Sequence, residues 1–289
     1  MSGAGTTVDM LDRLKRDRPE WTAWLVLLEI PLREAAETAW DATVPVPRKG
    51  SDRDPLLQGT TIRIPAPSVH RLWHRLIEAA SRSDSAELRT LGAAAGHNGD
   101  TGALFAGSLR QAAESQENRV DVDALHSVIA LVAIPFLHAC RRRWATAVRE
   151  DWTEGYCPIC GAWPSFAEVR GIERTRVLRC GRCGSAWRGQ VLRCPYCATT
   201  DHEELVTLVP EGGAGRISVE ACRRCEGYIK TIRTLQGCAP DVVMLEDLAN
   251  VDLDLAVLDH GFHRPFGAGY PLHVSVEERG PGQDSARAR

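Results

Sequence analysis

Eight of the ten cysteines in this 289-residue chain fall in four Cys-x-x-Cys pairs within about seventy residues. Two cysteines three apart can present both sulfurs to one metal ion from a tight turn, and two such turns complete a tetrahedral shell of four thiolates. Such a shell accepts iron or zinc, so the sequence predicts two mononuclear sites for either metal. The predicted ligands are Cys157, Cys160, Cys180, Cys183, Cys194, Cys197, Cys222 and Cys225.

The spacing of the pairs indicates which of them share a metal. Nineteen residues separate the first pair from the second and 24 separate the third from the fourth, but only ten lie between the second and the third. Segments 166–169 with 175–178, and 205–209 with 216–219, are predicted to form β-hairpins between the paired turns. We therefore expect two tandem rubredoxin-like or zinc-ribbon modules, each of which needs its metal in order to fold.

The residues before the first pair are predicted to be helical. Apolar residues recur at helical spacing in several segments, and Pro31 predicts a kink or break in the first of them. Asp121 and Asp123 are expected to cap a long helix that runs toward Trp152 and bends near Pro135. The predicted helical segments are 19–40, 68–80, 83–95 and 103–113, with a proline-rich connection at 43–67.

The predicted fold class is α+β, with a helical domain followed by the two modules and a C-terminal helix. That last helix is placed at about 245–260, with Leu248, Val251, Leu255 and Leu258 on its apolar face, and residues 277–289 are expected to be disordered. The expected units are a helical domain (1–153), a first module (154–190), a second module (191–236), the C-terminal helix (237–266) and a partly disordered tail (267–289).

Composition narrows the classes of protein to which the chain can belong. A net charge of −3 argues against the whole chain being a binder of polyanions. The polar N-terminus has no apolar core of a signal peptide, so we expect a reducing, cytoplasmic setting in which metal thiolates outlast disulfides. The apolar run 125–140 is short for a membrane span and contains two histidines and a proline, so a buried helix is predicted instead of membrane insertion.

The order of these motifs resembles the formate dehydrogenase accessory protein family, FdhE. The resemblance implies a cytoplasmic accessory protein without catalytic activity, built from a helical domain and two rubredoxin-like folds. It also implies iron binding and, as partner, the catalytic subunit of a molybdenum or tungsten formate dehydrogenase. The matching motifs are 157–161, 178–183 leading to Trp187, 193–197, 222–230, 247–254 and 261–265, with Pro55-Leu56-Leu57 in the connection.

Three other classes of function are weighed against this one. A hydrolytic metal enzyme needs an open coordination position, and eight thiolates close both shells. A rubredoxin-like electron carrier remains an alternative because iron held by four thiolates is redox active. A nucleic-acid-binding zinc ribbon is the second alternative. Seven arginines but only two glutamates lie between Cys157 and Thr199, and basic patches can bind phosphates.

The remaining candidate residues carry weaker signals. Arg182 and Arg188 are predicted to contact an acidic surface of the partner. Cys140 is expected to be a core residue on an apolar helix face, and Cys238 to lie in a connection without a partner. His70 and His74 have the i, i+4 spacing of a metal grip but lack a third ligand in the sequence nearby, which favours ordinary helix histidines.

Overall fold

The computed structural model describes residues 6–48, 50–95, 100–109, 120–210 and 215–279. It has the predicted α+β class, with helices in the first half and most strands around the cysteine pairs. The helices are α1 (Thr7–Asp17), α2 (Thr22–Ala36), α3 (Ala66–Ser81), α4 (Ala86–Ala95), α5 (Thr101–Leu109), α6 (Val120–Leu131), α7 (Ile134–Arg143), α8 (Val243–Leu248) and α9 (Val251–Leu258), with 3₁₀ turns at Pro19–Trp21, Thr38–Thr43 and Pro240–Val242.

Helix α1 was not expected from the polar N-terminal sequence. The Thr6 side chain accepts a hydrogen bond from the backbone N–H of Asp9 (3.2 Å), and the Asp9 carboxylate accepts one from the backbone N–H of Thr6 (3.1 Å). This capping box satisfies two of the free amide groups at the helix start. The helix then buries Met10, Leu11 and Leu14 against the rest of the helical domain.

Two predicted helix boundaries need correction. Helix α2 continues through Pro31, so the proline does not break it. The long helix expected to reach Trp152 is divided into α6 and α7 just before Pro135, and it ends at Arg143. The side chains of Asp121 and Asp123, and residues 110–113 of the predicted fourth helical segment, lie outside what the structure describes.

One apolar stretch in the described part of the chain has the length and composition of a membrane span. It covers Ala124–Arg143, with a mean hydropathy of 1.6, and 61% of it is buried inside the protein. Its residues Phe136, Leu137 and Cys140 belong to the main hydrophobic core. That burial agrees with the predicted core helix.

The strands around the cysteine pairs form one six-stranded sheet instead of two separate ones. Its order is β4-β3-β2-β7-β6-β5. Both predicted hairpins are present, as β2 with β3 and β5 with β6. The strands are β1 (Thr61–Ile64), β2 (Phe166–Arg170), β3 (Thr175–Arg179), β4 (Ala186–Arg188), β5 (Leu205–Leu208), β6 (Ile217–Cys222), β7 (Tyr228–Thr234) and β8 (Ser275–Glu278).

Each module contributes three antiparallel strands, and the two halves join through a parallel pair. Strand β2 pairs with β7 from Phe166 opposite Lys230 to Arg170 opposite Thr234. Aromatic rings also connect the halves, with the ring centres of Trp163 and Tyr196 5.2 Å apart. The two modules therefore form one continuous layer.

The segment 267–279 returns to the helical domain and is ordered there. Strand β8 pairs in parallel with β1, which lies in the predicted connection 43–67. The tail was expected to be disordered from residue 277, but Glu277 and Glu278 belong to β8. Residues 280–289 lie outside the described part of the chain. The pairing is reinforced by Val274 and Val276, which pack against the main core.

The predicted C-terminal helix is two shorter helices, α8 and α9, separated at Ala249 and Asn250. Its expected apolar face is only partly buried, since Leu255 and Leu258 are 60% and 52% exposed. Apolar contacts of Val243 and Val257 and a set of ion pairs both fix this segment to the sheet. The buried ammonium of Lys230 lies 2.8 Å from the carboxylate of Asp247 and 2.6 Å from that of Asp254. Arg264 pairs with the same two carboxylates.

Candidate metal centres

The structure brings the eight paired cysteines together in two groups of four. The first group is Cys157, Cys160, Cys180 and Cys183, and the second is Cys194, Cys197, Cys222 and Cys225. Within each group all four sulfurs lie within 4.8 Å of one another. These are the groups predicted from the spacing of the pairs.

The distances between sulfurs match a tetrahedral metal shell. In the first group the Cys157–Cys183 and Cys160–Cys180 sulfurs are 3.6 and 3.5 Å apart. In the second group the Cys194–Cys225 sulfurs are 3.7 Å apart. A tetrahedron with metal–sulfur bonds of about 2.3 Å has edges of about 3.8 Å, whereas a disulfide would need about 2.05 Å. Each group can therefore hold one iron or zinc ion.

All four cysteine turns share one feature of backbone conformation. The residue four positions after the first cysteine of each turn has a left-handed conformation, with φ between 56° and 72°. This conformation turns the chain back, so that both sulfurs face the same point. The first group uses Gly161 and Gly184 there, whereas the second uses Ala198 and Glu226, which tolerate the conformation less well.

The two groups differ in burial. All four cysteines of the first group are 0% exposed and lie in the main hydrophobic core with Phe136 and Leu57. In the second group Cys197 and Cys225 are half-buried. The backbone N–H groups of Leu56 and Leu57 donate to the carbonyls of Pro158 and Ile159 (2.8 and 3.1 Å), so the predicted connection 43–67 holds the first cysteine turn.

The electrostatics of the first group favour a bound cation. Burial raises the pKa of the Cys157 and Cys180 thiols well above the ordinary value. Burial also opposes ionisation of Cys183, but hydrogen bonds from the neighbouring thiols and from Ser185 outweigh it and hold its pKa well below that value. Without a metal the group would not ionise fully, and a bound divalent ion supplies the charge that stabilises four thiolates.

The other predicted candidates stand apart from the two groups. Cys140 is fully buried in the core, as expected, and burial raises its pKa. Cys238 is half-buried, and its backbone N–H donates to Glu168 (2.8 Å). His70 and His74 have ring centres 6.4 Å apart. They belong to no cluster of three metal-type ligands in the described part of the chain.

Most of the seven arginines expected to form a basic face are engaged within the protein. Arg179 and Arg170 both bind the Glu168 carboxylate, and Arg176 binds that of Glu220 (2.6 Å). The Arg182 guanidinium donates to the carbonyls of Ser108 and Leu109 at the end of α5 (2.7 and 3.3 Å).

Arg188, in contrast, is exposed at the edge strand β4. Of the two arginines predicted to contact a partner, Arg182 therefore already has an internal role and Arg188 has a free surface position. The sequence gives no local signal for the internal contact, because α5 lies more than seventy residues away.

Several known proteins are similar to this chain. The family model described as "FdhE, C-terminal domain" matches residues 192–268. An FdhE homologue from Stutzerimonas stutzeri is 38% identical over 120 residues, which cover 40% of this chain and 37% of that protein. An FdhE homologue from Aquifex aeolicus is 30% identical over 154 residues, covering 50% of this chain and 52% of that protein. The chain thus matches about half or less of the length of these relatives.

A solved structure extends the likeness to the whole fold. The crystal structure of the FdhE protein from Pseudomonas aeruginosa superposes with a TM-score of 0.57, covering 90% of this chain and 92% of that one, at 18% identity. At that identity the likeness concerns the fold alone. Residues 192–268 thus match the C-terminal domain of FdhE, and the fold of the chain is similar to that of an FdhE protein.

Proposed function

We propose that this chain is an accessory protein that binds the catalytic subunit of a formate dehydrogenase and supports its maturation. The proposal rests on the match of residues 192–268 to the C-terminal domain of FdhE and on the resemblance of the chain's motifs to FdhE, which implies that partner. The observation that supports it most is the closed four-sulfur geometry of both groups, which leaves no open position for a substrate. Under this proposal the eight cysteines bind two mononuclear iron or zinc ions and the protein is not an enzyme.

The fold is suited to binding a partner rigidly. Both metal groups flank one six-stranded sheet, and the parallel pairing of β2 with β7 fixes their relative positions. A surface held at two points by metal presents its loops with little conformational freedom, which lowers the entropy lost on association. Exposed apolar residues next to the sheet, Ile172, Leu235 and Phe266, offer contact area for such a partner.

An iron-loaded electron carrier is the second candidate, because Cys197 and Cys225 of the second group are half-buried. Partial exposure would let an electron donor approach that metal. Nucleic-acid binding has less support, since most arginines between the cysteine pairs already have protein partners. The cytoplasm is the proposed location because all eight paired cysteines must stay reduced.

Co-expression of the chain with a formate dehydrogenase catalytic subunit tests the proposal. We expect the two to co-purify, the yield of active dehydrogenase to rise, and the chain alone to show no formate oxidation. Arg188→Glu should weaken co-purification because it reverses a charge at the free edge of the sheet. Arg143→Glu, an equally exposed change on α7, is the matched control.

The alternatives predict different results in the same preparation. Failure to co-purify together with salt-dependent retention of nucleic acid would favour the ribbon hypothesis. Rapid reduction of an iron-loaded chain by a reductase, without effect on the dehydrogenase, would favour the electron carrier. Equal co-purification of the Arg188→Glu and Arg143→Glu variants would exclude Arg188 from the binding surface.

A further inference from the structure

A cavity of about 500 Å³ adjoins the first metal centre, between the end of α7 and strands β2 to β4. Gly184 and Ser185, which follow the last cysteine of that centre, form part of its wall. Its lining includes one acidic residue, Glu150, and a set of arginines from four separate parts of the chain. These are Arg141, Arg149, Arg170, Arg179 and Arg188.

Three of the five arginines have carboxylate partners, and Arg179 shares its partner, Glu168, with Arg170. Arg170 binds Glu168, and Arg149 binds Asp52 and Asp151. Arg149 and Arg170 line the cavity, but their N–H groups are engaged by these carboxylates. They therefore contribute positive potential but not the contacts of a binding site.

Arg141, Arg179 and Arg188 keep N–H groups without partners. In the described part of the chain Arg141 forms no hydrogen bond or ion pair, and its Nε is buried. Arg179 is only 2% exposed, and its Nη1 donates to Glu168 and to the carbonyl of Cys238, but its buried Nε lacks a partner. Arg188 has an exposed guanidinium that contacts no described acceptor.

The first metal centre accounts for part of this charge. A divalent ion with four thiolates is a dianion. Burial lowers the pKa of Arg141, and the charge of the nearby Cys183 partly opposes that shift. The charge of the metal centre does not explain why Arg188 lies at the open side of the cavity. It also does not explain why Arg170 and Arg179 share one carboxylate, that of Glu168. A buried donor left without an acceptor is unfavourable, and two of the arginines that line the cavity, Arg141 and Arg179, each have one.

We propose that this cavity binds a phosphate group, either as free inorganic phosphate or as a phosphate monoester. A carboxylate has one charge and two oxygens, and a single arginine satisfies it. A phosphate has up to two charges and oxygens on four sides, which suits donors that come from three elements. The cavity is also large enough to take the organic part of an ester beside Trp152 and Trp187, whose rings line it.

The test uses the full-length, metal-loaded chain and a ³¹P NMR titration with inorganic phosphate, with adenosine monophosphate in a parallel series. Arg141→Gln and Arg188→Gln should each weaken binding about tenfold, since a charge-assisted hydrogen bond contributes about that factor. Arg143→Gln removes an exposed arginine of the same helix that does not line the cavity, and it should bind as the wild type does. Stronger binding of the monophosphate would identify an ester, and equal binding would identify free phosphate.

Absence of phosphate binding by the wild type would overturn the proposal, as would equal weakening in all three variants. Formate competing as well as phosphate at equal concentration would overturn the assignment to a phosphate group, because formate carries one charge. Metal content is measured in every sample. If Arg141→Gln loses its metal while Arg188→Gln keeps it and binds normally, the arginines serve only the thiolates and the proposal is wrong. The outcome does not depend on the formate dehydrogenase partner.

Discussion

Replacement of Cys157 by serine is expected to unfold the helical domain together with the first module, whereas Cys222→Ser is expected to spare the helices. The reason is the difference in what surrounds the two sites. The first group of cysteines is fully buried within the same apolar cluster as Phe136, Leu57 and Cys140. The second group is absent from that cluster, and β6, which ends at Cys222, contributes Val219 and Ala221 to a small separate one.

The magnitude follows from the metal. A structural zinc site contributes about 10–16 kcal/mol to folding, whereas a whole domain is stable by about 5–15 kcal/mol. Loss of the first ion therefore removes a free energy comparable to the full stability of the unit that contains it, and that unit includes the helical core. Loss of the second ion removes a similar energy, but from the half of the sheet formed by β5 to β7.

The assay is far-ultraviolet circular dichroism at the helical band, with metal analysis of each sample and a thermal melt. We expect two ions per wild-type chain, a large loss of helical signal in Cys157→Ser, and a retained helical signal with one ion in Cys222→Ser. Cys140→Ala is the matched control, because it removes a buried sulfur from the same core without removing a metal ligand. Equal helical signals in the two serine variants would refute the reasoning, as would a single ion in the wild type.

Three further outcomes are expected. A chelator should remove the second metal before the first, because two of its thiolates are half-buried while the first site is closed to solvent; chelator kinetics with a single phase for both ions would contradict this. Gly184→Ala should lower the free energy of unfolding by at least about 2 kcal/mol, since a left-handed φ of 72° disfavours alanine and the new Cβ would lie 2.3 Å from the Pro240 carbonyl oxygen; an unchanged chemical-denaturation midpoint would count against it. Burial would raise the pKa of Asp254, but hydrogen bonds from Lys230 and Tyr228 and the charge of Arg264 outweigh it, so the folded pKa lies below the unfolded one. The stability that this carboxylate contributes is present above the unfolded pKa, near pH 4, and is lost as the pH falls through the folded pKa. Asp254→Asn should therefore flatten the fall in the free energy of unfolding below pH 4. Denaturant titrations at several pH values would measure this.

The sequence was most informative where structure is local. A Cys-x-x-Cys turn needs only six neighbouring residues to form, and each hairpin closes over a short loop, so both groups of sulfurs could be predicted from intervals alone. The capping box of Thr6 and Asp9 is equally local, but it was not predicted. A capping box usually has glutamate or glutamine where this one has Asp9, and the surrounding segment is polar. Helix propensity and the helical spacing of apolar residues were sufficient to predict α3, whose apolar residues repeat on one face.

Long-range pairing could not be predicted in the same way. Strands β2 and β7 are separated by more than fifty residues, and β1 and β8 by more than two hundred. No turn specifies such a parallel pair, because its register depends on tertiary packing. The exposure of Leu255 has a similar origin. The helix pattern predicted an apolar face, but the ion pairs of Lys230 and Arg264 hold that segment in place together with the buried Val257.

The difference in burial predicts different accessibility for the two metal sites. A metal enclosed by four fully buried cysteines in the helical core can hold the fold but cannot be reached by a protein or small molecule without local unfolding. We therefore expect exchange of electrons, or contact with a partner at a metal site, to be faster at the second site, where Cys197 and Cys225 are half-buried. An iron-loaded chain tests this directly. A mild oxidant or reductant should change the colour of the second site rapidly and of the first site slowly, and Cys222→Ser should abolish the fast phase only. A fast phase that persists in Cys222→Ser would show that the first site is accessible despite its burial.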